Sequence, residues 1–213
     1  MNTTDTAPPA PVMNAGASHE PARAAASMIQ YGLLVAVLAA LLFGILGAVL
    51  ATGEPPRSPG WIQIIGQLLG LVGGVMFFTG IIRFAPIEPK PRDGGRVLRG
   101  LAFAMIALTV FDFLLTGVGV LLGSLVLVGL STLPSLANIV ISLILVVLLM
   151  IRVREWGETL GDDRLAKRAH LNRILIPLLM TVGVLILIGP LIGLVLFYNT
   201  FDALRKALAA PSI

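Results

Sequence analysis

Cysteine is absent from this chain. That excludes a disulfide framework, a thiol nucleophile and a thiolate metal site. Histidine is scarce, with only His19 and His170. Charge is scarce too: charged residues make up 12% of the 213 residues, roughly half the share of an average soluble domain. Catalytic groupings are missing. There is no Gly-rich phosphate loop, no Ser-His-Asp set, no His-x-x-x-His and no pair of acids within one apolar tract. A membrane enzyme with a buried site needs at least a base and a stabilising group. The sequence therefore points away from an enzyme and calls for no cofactor and no metal.

What the chain has in abundance is apolar length. Hydrophobic residues make up 57% of it. They gather in tracts at 28–51, 62–82, 98–122, 136–151 and 174–197. A helix needs about 20 apolar residues to cross a bilayer core. A single soluble core of this chain length has no room for so much apolar surface; lipid does. The expectation is an all-α, multi-pass transmembrane helical bundle of about five spans, near 28–52, 61–83, 98–122, 134–153 and 173–199. The bundle then covers 28–200, with a C-terminal tail at 201–213. Residues 1–27 are Ala, Pro, Thr and Ser with few large apolar side chains, and read as a disordered tail. Val49-Leu50-Ala51 resembles a signal-peptide cleavage site. The long lead-in and an apolar run beyond the usual 7–15 residues favour an uncleaved first span.

Basic residues set the orientation. Arg83, Lys90, Arg92, Arg96 and Arg99 follow the second tract; Arg152, Arg154, Arg164, Lys167, Arg168 and Arg173 lie between the fourth and fifth. Lys and Arg in short loops mark the cytoplasmic side. Two spans separate the clusters, so both loops fit on one side. The N-terminus is then cytoplasmic, residues 52–60 and 131–135 lie outside, and the location is the cell (inner) membrane. Five spans leave the C-terminal tail outside, although it carries Arg205 and Lys206. The tract 174–197 is too short for two full spans at 1.5 Å per residue, so Gly189-Pro190 reads as a kink within one span. The net charge of +4 fits attraction to anionic headgroups. It does not fit nucleic acid, because no basic face interleaves with aromatics.

Two features inside the tracts stand out. Gly66, Gly70 and Gly74 repeat every four residues, a spacing that lets two helix backbones approach in a membrane. Gln63 and Gln67 share that stripe. Another span of the same chain, a second copy or another membrane protein could fill it. The second feature is Asp112, the one charge in the interior of an apolar tract, Arg99 standing at that tract's start. It lies thirteen residues past Arg99, about 20 Å along a helix. An acid at that depth must be protonated, paired or hydrated, and is a functional candidate by default. Thr109 and Thr116 share its face. Ser142 falls at similar depth on the next span, with Asn138 one turn outward. These groups suit a protonated carboxyl that ties two spans together. The alternative is a site for a cation or a proton in transport. Transporters usually carry several such groups and internal repeats. This sequence shows one acid and no convincing repeat.

Between the fourth and fifth tracts, Leu160-Gly161 reads as a helix end and Asp162 or Asp163 as the cap of the next helix. The stretch 152–169, RVREWGETLGDDRLAKRA, resembles a loop of uncharacterised bacterial multi-pass membrane proteins. The resemblance implies a compact bundle with a short helical cytoplasmic loop, and carries no site residues. The functional expectation is a structural or interaction component of the membrane, partnered by the lipid bilayer and by whatever fills the glycine stripe. A small cation- or proton-coupled transporter using Asp112 is the alternative.

Overall fold

The structure is a computed structural model that describes residues 19–51, 60–87, 89, 94–122, 124–130, 132–182 and 189–210. Among these residues it is all-helical, with no strand. The helices are α1 (Glu20–Ala51), α2 (Gly60–Phe84), α3 (Gly94–Leu121), α4 (Leu125–Leu130), α5 (Thr132–Thr159), α6 (Asp163–Thr181) and α7 (Gly189–Ala207). Three helical segments are long and apolar enough to cross a membrane: Glu20–Phe43, Gly94–Asp112 and Thr132–Thr159. Leu68–Phe84 of α2 is apolar but shorter.

The chain runs up and down, so that one end of the bundle collects most of its charge. There the start of α1 meets the ends of α2, α5 and α7. Arg83 reaches Met28, His19 sits edge-on to Trp156 at 5.7 Å, and Arg205 donates to the Tyr31 hydroxyl at 2.7 Å. We call this the basic end. Its core is closely packed: Ile29, Ile81, Phe84, Leu149, Phe201 and Leu204 are fully buried. Phe197 stacks on Phe201 at 4.8 Å, and both rings lie against α2 through Phe77 and Phe84. Away from the basic end, α1 exposes Leu38, Leu42 and Ile45, α3 exposes Phe111 and Leu114, and α5 exposes Leu136 and Ile139.

Two boundaries differ from the sequence expectation. Helix α1 starts at Glu20, eight residues ahead of its apolar tract. Ala22, Ala25 and Ala26 are buried there. Alanine is the best helix former, and its small side chain lets neighbouring helices close in. The second difference is larger. The expected span 173–199 is divided between α6 and α7, which run antiparallel. Asn172 donates to Thr200 at 2.7 Å across them, and Gly193 faces Ile176 and Met180. Pro190 sits in the first turn of α7, where its missing N–H costs nothing. Gly189-Pro190 is a helix start, not a kink. The C-terminus consequently returns to the basic end.

The turn into α6 is built as its residues suggest. Gly161 takes a positive φ of 70°, a conformation that costs glycine little. Asp162 is the cap, accepting from the Leu165 amide at 3.0 Å. Gly157 packs against Ala166, which closes the α5–α6 corner.

Candidate functional site

Among the described residues, the α1–α2 contact is the closest for which glycines are responsible. A side chain on Gly73 would fall on the backbone nitrogen of Ala36, and one on Gly32 on that of Phe77. A Cβ at Gly80 would lie 2.7 Å from the Ile29 nitrogen, and one at Gly66 would lie 2.6 Å from Phe43 Cβ. The seam therefore runs Gly66, Gly73, Gly80, every seven residues, the repeat that keeps one helix facing another. Of the three glycines of the expected stripe, only Gly66 lies on it. Gly70 and Gly74 have nothing within 4 Å of an added Cβ. At 100° per residue they point about 60° and 100° away from Gly73. The side chains of Gln63 and Gln67 lie outside the described residues.

Asp112 lies on α3, half-buried. Its Oδ1 is buried and has no hydrogen-bond partner. One turn earlier, the Thr109 hydroxyl donates to the Met105 carbonyl at 2.8 Å and accepts from Asn138 Nδ2 at 3.4 Å. Asn138 Oδ1 is likewise buried without a partner. Ser142 donates to its own helix, to the Ile139 carbonyl at 2.7 Å. The Thr116 side chain lies outside the described residues. Thr109 and Asn138 are thus brought together across α3 and α5, with Asp112 one turn along on the same face of α3. The cluster is rich in acceptors and short of a donor. Thr109 has spent its one proton, and two buried oxygens remain. A carboxylate and an amide oxygen out of water each need a donor or a cation. A proton on Asp112 would supply one; so would a small cation.

A second polar group, at the basic end, was not legible in the sequence. Asp202 on α7 pairs with Lys206 at 2.6 Å and Arg205 at 2.8 Å. Gln30 on α1 is fully buried, and neither of its amide atoms has a hydrogen-bond partner. It still approaches Asp202 closely enough to act on its charge. Lys206 above all, with Gln30 and Arg205, holds the Asp202 carboxyl below the usual range; partial burial opposes this. Arg152 and Glu155 form a buried pair at 3.2 Å on α5. The signals were present but mute: Gln30 is the one amide in the first apolar tract, and Asn172 and Thr200 flank the last.

The Asp202 pairing has a pH consequence. A carboxyl depressed in the folded state contributes stability above its unfolded pKa, near 4. That contribution is lost as pH falls through the lower folded value. Asp202→Asn should therefore melt below the wild type at pH 7, with the gap closing below about pH 4. Melting curves of both proteins from pH 7 to pH 3 would check this; a gap that stays constant would show that the charge is not responsible.

These features define a class: an all-helical bundle with three segments long and apolar enough to cross a membrane, and with buried polar groups between its helices. No family model, curated protein or solved structure matches the chain.

Proposed function

We propose that this is a multi-pass membrane protein that works as an assembly component, docking a second copy or another membrane protein on the outer face of α2. The supporting observation is that α1 occupies Gly66, Gly73 and Gly80 but leaves Gly70 and Gly74 open. Leu71 and Val75 stand exposed beside them. Small residues one turn apart let a foreign helix approach the backbone, where van der Waals contact drives association in lipid. A photo-crosslinker at Leu71 in native membranes should capture one discrete adduct. A second copy would double the mass of 22.4 kDa. Gly70→Leu with Gly74→Leu should abolish the adduct without lowering the melting temperature. An adduct that survives the double change, or label found only on lipid, removes this reading.

The same reading places the basic end in the cytoplasm, because both Lys/Arg clusters lie there. Helices α1, α2, α3 and α5 cross the membrane. Helices α6 and α7 enter and return as a hairpin. Both termini are then cytoplasmic, and Arg205 and Lys206 obey the charge rule that one kinked span would have broken.

A second reading, a proton- or cation-coupled transporter, is favoured by the two unpaired oxygens of Asp112 and Asn138. Infrared titration distinguishes the states. A protonated-carboxyl band at pH 7 that disappears in Asp112→Asn would mark a neutral acid tying α3 to α5. No such band in the wild type would mean an ionised Asp112, which at that depth requires water or a cation. Thermal stabilisation by Na+ or K+, lost in Asp112→Asn, would then identify the transporter.

A further inference from the structure

A groove of about 510 Å³ opens at the basic end, where the first turns of α1 meet the end of α2 and the second turn of α3. Two arginines line it, Arg83 and Arg99. The remaining walls are largely apolar and include Ala25, Ile82, Pro86 and Ile87. The two arginines share an unusual condition. Among the described residues, no carboxylate pairs with either. Among the described residues Arg83 reaches the Met28 sulfur, at 3.8 Å, and Arg99 lies over the Phe103 ring at 5.7 Å. Other arginines of this end do find acids: Arg152 has Glu155, Arg154 has Glu158 and Arg205 has Asp202.

Two arginines that line one groove with apolar walls, and that no carboxylate pairs among the described residues, are complementary to an anion that carries its own hydrocarbon. A guanidinium presents planar, paired donors that fit phosphate oxygens. The positive end of the α1 dipole adds to the same field. Arg83 is in the last turn of α2, where an apolar helix leaves the bilayer. The phosphate of a neighbouring lipid stands at that level, and basic pockets between helices on the cytoplasmic side suit such headgroups.

We propose that this groove is a binding site for one anionic phospholipid, its phosphodiester held between Arg83 and Arg99 and the start of its acyl chain along Ile82 and Ile87. The proposal rests on the membrane placement above, not on the assembly face of α2. The site selects charge: a zwitterionic lipid presents the same phosphate but brings a cation that the arginines repel. Each arginine near a headgroup contributes about fivefold in affinity, so the pair contributes about thirtyfold.

Native mass spectrometry of the full chain in detergent tests this. Phosphatidylglycerol and phosphatidylcholine would be titrated in separate arms, and inorganic phosphate in a third. The wild type should retain one phosphatidylglycerol about thirtyfold more readily than phosphatidylcholine. Arg83→Gln with Arg99→Gln should lose that preference. Arg164→Gln with Arg168→Gln removes the same charge from α6 and should keep it. Melting curves of the two double variants would show that each is folded. Equal retention of both lipids by the wild type, or equal loss in both double variants, would overturn the site. Displacement of the lipid by millimolar inorganic phosphate would overturn the lipid assignment and leave a phosphate site. A failure of the α2 crosslink would touch none of these outcomes.

Discussion

Replacing Gly73 by leucine is expected to separate α1 from α2 and to lower stability by at least about 3 kcal/mol. The new side chain would land on the Ala36 backbone, with the Gly32 carbonyl beside it at 2.8 Å. Backbone atoms cannot swing aside as a flexible side chain can, so one helix must move. Gly70→Leu, three residues away, points into open space and should stay within about 0.5 kcal/mol of the wild type. Alanine makes the comparison sharper. In a helix interior it is favoured over glycine by about 1 kcal/mol. Gly70→Ala should therefore raise the melting temperature, while Gly73→Ala should lower it. Thermal unfolding in one detergent reads both signs. Equal and mild effects at the two positions would mean that the seam does not run through Gly73.

The second large effect is all-or-none. The chain has no cysteine, so single cysteines can report sidedness without background. Thr132 begins α5 at the far end of the bundle, Thr159 ends it at the basic end, and Ala210 follows α7. An impermeant thiol reagent on intact cells should label Thr132→Cys only. Thr159→Cys and Ala210→Cys should label only after the membrane is opened. Labelling of Ala210→Cys in intact cells would restore a crossing fifth span and remove the hairpin. Labelling of Thr159→Cys would invert the whole orientation.

Hydropathy read the long elements well because the physics behind it is simple: a run of some twenty apolar residues is the length of one helix across lipid. The tract 62–82 sits inside α2, and 98–122 matches α3 to within one residue at its end, each helix extending only a few residues further. The tract 174–197 shows where that logic stops. Its 24 residues suit one span, and composition does not record that the chain reverses within them. The marker was Gly189-Pro190, which serves equally as a kink or as the first turn of a new helix. The glycine stripe divides for a related reason: Gly66 lies on the seam with α1, while Gly70 and Gly74 face away from it. A four-residue step and a seven-residue step both pass through Gly66, and sequence alone does not say which direction a partner crosses. At the polar site, Asp112, Thr109 and Asn138 were legible as groups that needed company in an apolar setting. That Ser142 turns back to its own helix was not, since a hydroxyl can always satisfy itself on the preceding turn. Gln30 was overlooked because a single amide hardly alters the character of an apolar tract.

The joining of first and last helices has a consequence for the order of events during synthesis. Tyr31 and Arg205 are separated by 174 residues. A ribosome adds about 5–20 residues per second, so roughly 9–35 seconds pass between the two. Through that interval α1 and α2 can already lie together on their glycine seam, for their contacts are local to one hairpin. The aromatic floor beneath them has no cover: Phe84 waits for Phe201, which is made 117 residues later. The nascent chain thus passes through a stage with a finished hairpin and an open basic end, and a transcript cut short before α7 would leave it there.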